Sequence, residues 1–230
     1  MNTYYDPITN RTLYKRPPAF IVDEVFEPSI FSKLNEDLSL LQETKVISYE
    51  PSLGRFGINS MDKIESPLPE YHKILLDKAR SIFTPTLKPT YCLWVTYRGF
   101  RAQLPNHVDD NACTYTMDVC LSYKTQWPIY VEEQEMLPEP NQAVCYYGED
   151  QYHWRNSFPD PANNEVQMIF FHFAEPEHWY FTKGPSHLHE VARARHEYQK
   201  KNSGDLSCGL RRNIPCGRRS GNAREKSETI

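Results

Sequence analysis

The chain has 230 residues, a formal net charge of −4 and 13% aromatic residues, with Tyr at 15 positions and Pro at 18. That length allows one sizeable domain with a real core, or at most two small ones. The slight acidity, and the lack of a basic aromatic groove before the C-terminal tail, argue against nucleic acid as a partner; no stretch reaches the length of a membrane span.

The opening residues Met1 to Asp6 carry neither a basic start nor an apolar run, so no signal or transit peptide is expected. The six cysteines form no C-x-x-C pair, and Cys92, Cys113, Cys120 and Cys145 sit among apolar, strand-like residues. They read as small core residues with reduced thiols, which points to a cytoplasmic location.

In chain order, residues 1–18 read as an irregular arm ending at Pro17-Pro18, and 19–182 as a single domain. Ala19 to Val22 reads as a short strand. Pro28 suits the first turn of a helix, where its missing N–H costs little. Ile30, Phe31, Leu34, Leu38 and Leu41 then repeat at helical spacing, predicting a helix over 28–43. Residues 45–60 read as strand and loop. A second helix is expected over 67–83, with Tyr71, Ile74, Leu75 and Ala79 on its apolar side and His72 exposed.

From about residue 90 the periodicity changes to two. Tyr91 to Tyr97 reads as a strand. In the next, Cys113, Tyr115, Met117, Val119, Leu121 and Tyr123 share one face, and Thr114, Thr116, Asp118, Cys120 and Ser122 the other. Further strands fit 127–133, 142–147, 151–157 and 165–174, separated by Pro, Gly and Asn turns. Two helices followed by a run of short strands, about 90 to 174, suit a mainly β jelly roll or sandwich with helices on one sheet. A polar helix is expected over 183–200, and a disordered basic tail over 201–230.

The chemistry centres on two short motifs. On a strand, residues i and i+2 face the same way, so His107 and Asp109 can offer an imidazole and a carboxylate to one metal ion. His153 opens a later strand, with Arg155 on its own face two residues on. Two histidines and one carboxylate leave coordination positions open for O₂ and a second ligand, as non-haem Fe(II) oxygenases require. A guanidinium nearby can take a carboxylate through two parallel hydrogen bonds. Plainer readings exist: a hydrogen-bonded His–Asp pair in a loop, and a surface His and Arg. His172, between Phe171 and Phe173, is a rival third ligand.

The order of two helices, H-x-D, a strand, a turn region and a distal histidine with a nearby Arg resembles Fe(II)/2-oxoglutarate-dependent oxygenases, over roughly residues 19–180. Asn106-His107-Val108-Asp109 matches the proximal motif, and His153 the distal ligand. The resemblance implies a double-stranded β-helix core, Fe(II) on His107, Asp109 and His153, and 2-oxoglutarate and O₂ as cosubstrates. It implies oxidation of a C–H bond in a small molecule, amino acid or peptide, hydroxylation being the default. Many members place the cosubstrate-binding Arg or Lys about ten residues after the distal histidine; here Asn163 and Asn164 stand in that region. Arg155 is the substitute, with Lys124 second, and Tyr97 or Tyr115 can add a hydroxyl. Arg98 and Arg101, just before the metal motif, are candidates for a substrate carboxylate. Asp109 argues against the halogenating branch, which lacks this ligand. The competing classes are a cupin-like iron dioxygenase that does not use 2-oxoglutarate, and a β-sandwich binding protein without catalysis.

Overall fold

The computed structural model describes residues 2–184 apart from 46, 63, 110, 111, 159 and 161, together with 187, 190, 193 and 197. The polar helix expected over 183–200 falls largely outside these residues, and the tail over 201–230 wholly so.

The chain opens not on an irregular arm but on a hairpin, β1 (Thr3–Asp6) paired antiparallel with β2 (Arg11–Tyr14). Asp6 shapes its turn by accepting hydrogen bonds from the Ile8 and Thr9 backbone N–H groups, an Asx-type turn that the sequence period does not display. After β3 (Phe20–Val22) comes α1 (Pro28–Thr44), which buries Leu34, Leu38 and Leu41. β4 (Ser48–Glu50) and β5 (Arg55–Asn59) form a second hairpin.

The second helix, α2 (Leu68–Ile82), buries Leu68, Tyr71, His72, Leu75 and Ala79. Here the expected face is rotated: His72 is 3% exposed, whereas Ile74 is 44% exposed. Phe171 and Phe173 draw His72 inward, with ring centroids at 5.3 and 4.8 Å.

The rest is β: β6 (Lys88–Arg98), β7 (Leu104–His107), β8 (Tyr115–Tyr123), β9 (Ile129–Val131), β10 (Gln134–Met136), β11 (Ala143–Tyr146), β12 (His153–Arg155) and β13 (Glu165–Ala174), then the short α3 (Trp179–Lys183). The run Glu132 to Glu135 forms the tight β9–β10 hairpin, with Glu132 at φ 55°.

These strands sort into two sheets. One has the order β3-β11-β8-β13-β6-β5-β4 and the other β10-β9-β12-β7. From β6 onward the chain alternates between them, crossing β6→β7→β8→β9 and β11→β12→β13. Such crossing wraps two sheets around a shared interior, a double-stranded β-helix or jelly roll. No described helix is long and apolar enough to cross a membrane.

The seven-stranded sheet is therefore covered on both faces. Outside, Tyr115, Met117, Val119, Leu121, Phe171 and Phe173 pack under α1 and α2. Inside, Val95, Tyr97, Cys120, Val166, Met168 and Phe170 meet Trp127 and Phe158. Both sets of β8 are buried for that reason. A register shift between Gln167 and Met168 turns Tyr123 to the inner cluster, away from the face its spacing predicts. Cys92, Cys113, Cys120 and Cys145 are buried.

Burial holds His72 neutral by lowering its pKa to about 3, and His172 by lowering its own to about 4. Both folded values lie below the ordinary 6.5, so the unfolded chain binds the extra protons and stability falls as pH drops from about 6.5. His72 Nε2 also has no hydrogen-bond partner among the described residues. Replacing it as His72→Leu is expected to flatten the acid limb of stability between about pH 6 and 4, by about 1.4 kcal/mol per pH unit. Urea unfolding across that range checks this; an acid limb parallel to that of the wild type contradicts it.

Candidate metal centre

His107 ends β7 and His153 begins β12, and the two residues are directly paired in register. Their rings lie 4.2 Å apart between centroids. Past the end of β7 the chain turns so that Asp109 N–H donates to the Gly148 carbonyl at 2.8 Å. This places Asp109 Oδ1 at 3.6 Å from His107 Nε2 and 3.5 Å from His153 Nε2.

Both imidazoles are fixed from behind. His107 Nδ1 lies 2.8 Å from the Pro105 carbonyl and His153 Nδ1 3.0 Å from the Gln151 carbonyl. A carbonyl only accepts, so each Nδ1 donates its proton there and each Nε2 is turned toward Asp109, where its lone pair is available to a metal when one is bound, the usual way a protein orients histidine ligands. Burial by itself lowers His107, but the hydrogen bond and charge of Asp109 outweigh it and raise its pKa. Burial likewise raises Asp109, but the two histidines outweigh it and hold the carboxylate well below its usual range.

The donor atoms of His107, Asp109 and His153 all lie within 4.8 Å of one another, which fits a single divalent cation. Two neutral imidazoles and one ionised carboxylate form a facial set suited to Fe(II), and this set faces a cavity. Asp109, Cys113 and His172 form a second group within the same limit. There the His172 Nδ1 lies 3.1 Å from the Thr116 hydroxyl and Cys113 Sγ 3.0 Å from the Tyr91 hydroxyl. The rival histidine is thus close to the centre, on the neighbouring wall.

The N-terminal hairpin braces this loop. Arg11 donates through Nη1 to the Asp109 carbonyl at 3.2 Å and through Nη2 to the Glu149 carbonyl at 2.5 Å. Arg16 pairs with Asp150 at 2.6 Å. Gly148 has no room for a side chain: a Cβ there would lie 2.3 Å from Asp109 Oδ2 and 2.8 Å from the Cys113 carbonyl.

The cavity in front of the donors measures about 290 Å³ and is walled by Arg55, Tyr91, Leu93, Asp118, Tyr146, Phe170 and His172, among others. Three of these, Arg55, Asp118 and Tyr146, escaped the sequence reading. Asp118 is 2% exposed and accepts a hydrogen bond from Tyr146 Oη at 3.1 Å. Burial first, then the charge of Asp109, raises its pKa to about 8. Its place in the inward set with Thr116 was legible; a polar set between two buried sheets was the missing signal.

Arg155 shares the barrel interior with His153 but lies one layer of side chains deeper. It lines a small hollow of about 10 Å³ with Cys120, Trp127 and Met168, apart from the metal cavity. Its guanidinium stacks on Trp127 at 5.0 Å and donates to the Trp127 carbonyl. Tyr97 lies at the same depth, edge-on to Trp127 at 5.2 Å, its hydroxyl accepting from Arg55 Nη1 at 3.2 Å.

The other candidates fall elsewhere. Tyr115 is on the outer face of β8, against Phe83 and Tyr147, with its hydroxyl donating to Glu175. Arg98 is exposed and stacked on Phe56 at 4.2 Å, and Arg101 is exposed. Neither lines the cavity. Lys124 is 60% exposed and pairs with Glu165 at 3.8 Å.

No protein-family model matches the sequence, and no curated protein matches it. Solved structures do share its fold. SnoN, a non-haem α-ketoglutarate-dependent epimerase from nogalamycin biosynthesis, superposes with a TM-score of 0.55 at 7% identity, over 67% of this chain and 78% of that one. HygX from Streptomyces hygroscopicus, with nickel, 2-oxoglutarate and hygromycin B bound, gives 0.54 at 9%, over 69% and 83%. A prolyl hydroxylase in complex with a hypoxia-inducible-factor peptide fragment from Trichoplax adhaerens gives 0.52 at 13%, over 67% and 83%. The fold is the double-stranded β-helix of 2-oxoglutarate–Fe(II) oxygenases, as the resemblance in the sequence implies.

The close approach at Gly148 makes a direct prediction. Gly148→Ala must displace Asp109 or the Cys113 backbone, so its affinity for Mn(II) is expected to fall at least tenfold while the melting profile stays cooperative. Calorimetric titration measures this; wild-type affinity would mean that Asp109 does not need the geometry seen here.

Proposed function

We propose that this chain is a non-haem Fe(II)/2-oxoglutarate-dependent oxygenase that oxidises a C–H bond of a small molecule, amino acid or peptide, with hydroxylation as the default outcome. The observation that carries this reading is the preset face of His107, Asp109 and His153, whose donors converge within 4.8 Å at a cavity inside a β-helix barrel. Fe(II), when bound, supplies the O₂-activating chemistry while 2-oxoglutarate is oxidised to succinate and CO₂. The protein contributes two Nε2 lone pairs held by backbone carbonyls, one carboxylate, and apolar side chains in the wall, Leu53, Leu93, Leu104, Val108 and Phe170, that limit water.

We assign the far carboxylate of 2-oxoglutarate to Arg155. Support comes from its depth and surroundings: it is 3% exposed, no acidic group lies within ion-pair distance among the described residues, and its Nη2 lies 3.9 Å from Met168 Sδ. Phe170 lines the metal cavity and Met168 lines the hollow beside Arg155, both from β13. Methionine repacks at small cost, so in this reading the cosubstrate reaches Arg155 by displacing Met168. The similar solved structures are consistent with either kind of substrate, since one carries a peptide fragment and another hygromycin B.

An enzyme that binds iron but does not use 2-oxoglutarate draws on one observation, that Arg155 does not line the metal cavity. The two readings separate in one assay, the slow Fe(II)-dependent conversion of 2-oxoglutarate to succinate without added substrate. Asp109→Ala is expected to abolish it, and Arg155→Ala to raise the 2-oxoglutarate concentration required by on the order of tenfold or more, as loss of a bidentate charge partner does. Wild-type turnover in Asp109→Ala sinks the ligand set. An unchanged 2-oxoglutarate requirement in Arg155→Ala removes the anchor.

A further inference from the structure

Arg55 is the one residue with a fixed positive charge among those lining the metal cavity. It sits on β5, opposite Tyr97 of β6 in register, and lines the cavity together with His107. Its side chain is only 19% exposed. Nε donates to Glu50 Oε2 at 2.6 Å and Nη1 donates to Tyr97 Oη at 3.2 Å. A guanidinium has five N–H donors in a rigid fork. Those two bonds are the hydrogen bonds that described residues give it, so one Nη1 hydrogen and both Nη2 hydrogens are left for a ligand.

This is an oriented group rather than a surface charge. Glu50, on the neighbouring strand, fixes the Nε edge, and Tyr97, 0% exposed, fixes one arm. The open edge, Nη1 with Nη2, is one of those through which a guanidinium binds a carboxylate by two parallel bonds. Arg98 and Arg101, the cations nearest in sequence to the metal motif, are exposed and do not line the cavity.

We propose that Arg55 recognises the substrate of this site, and that this substrate carries a carboxylate. The compact cavity, about 290 Å³, must also admit the keto acid end of the cosubstrate, which favours a small carboxylic acid held on the His107 side of the metal. The assignment rests on the reading above, in which Arg155 takes the cosubstrate and leaves Arg55 to the substrate.

The test uses the full chain loaded with Mn(II) and N-oxalylglycine, a non-reactive analogue of 2-oxoglutarate. The probes are the N-acetyl derivatives of the common amino acids, each as the free acid and as the primary amide, with binding followed by thermal shift and calorimetry. At least one acid is expected to bind, its amide at least tenfold more weakly. Arg55→Gln is expected to remove the preference for the acid, and Arg55→Lys, which keeps the charge and loses the fork, to retain part of it. N-oxalylglycine affinity is expected to stay within about twofold of wild type in both variants. Acid and amide binding alike, no acid binding, or a preference that survives in Arg55→Gln overturns the proposal. Loss of N-oxalylglycine binding in both Arg55 variants also overturns it, making Arg55 the cosubstrate anchor. Failure of the wild-type protein to bind Mn(II) with N-oxalylglycine is a different result: it removes the oxygenase reading itself.

Discussion

The pairing of β7 with β12 is the constraint on which the rest of this structure depends. It sets His107 directly opposite His153, and cross-strand neighbours of this kind lie close enough for their side chains to act together. A slip of one residue on either strand would turn one imidazole to the far face. The i−2 carbonyls of Pro105 and Gln151 then hold each ring so that both Nε2 atoms converge. Asp109 is brought to them by its backbone bond to Gly148, at the loop between β11 and β12. Three separate segments thus meet at one point, and the N-terminal hairpin, through Arg11, ties two of them together.

The barrel interior behind the donors holds ionisable groups that are uncommon in buried space. Asp118 from β8, Arg155 from β12 and Arg55 from β5 all face inward, at different depths. Each is expensive to bury alone. The structure answers with partial compensation: Tyr146 on Asp118, the Trp127 carbonyl and ring on Arg155, Glu50 and Tyr97 on Arg55. Asp118 Oδ1 still lacks a partner among the described residues. Such incomplete satisfaction is characteristic of a place kept for a ligand rather than a place optimised for stability.

Much of this was legible in the sequence because strand period two is a strong signal. It paired His107 with Asp109, although Asp109 lies past the end of β7 and is positioned by its bond to Gly148; it paired His153 with Arg155, although the two line different hollows; and it divided β8 into its two faces. It did not say which face looked into the barrel, and so Tyr115 was expected near the site although it packs under the helices. His72 was expected in solvent because a lone histidine on a helix usually is; two phenylalanines from β13, a hundred residues away in the chain, draw it in. Arg55 was invisible for the same reason. Nothing near it in sequence marks a site, and its role arises only because β5 adds to the edge of β6. The opening hairpin was missed because its turn is made by Asp6 accepting backbone N–H bonds, not by Gly or Pro.

In the proposed centre, His107, Asp109 and His153 hold one metal ion to which a 2-oxo acid binds. Anaerobic titration of the protein with Fe(II), with and without 2-oxoglutarate, tests it most directly. A weak visible charge-transfer band that needs both components and is absent from His153→Ala is expected. Iron binding that gives no band when 2-oxoglutarate is added, or a band that persists in His153→Ala, would contradict it.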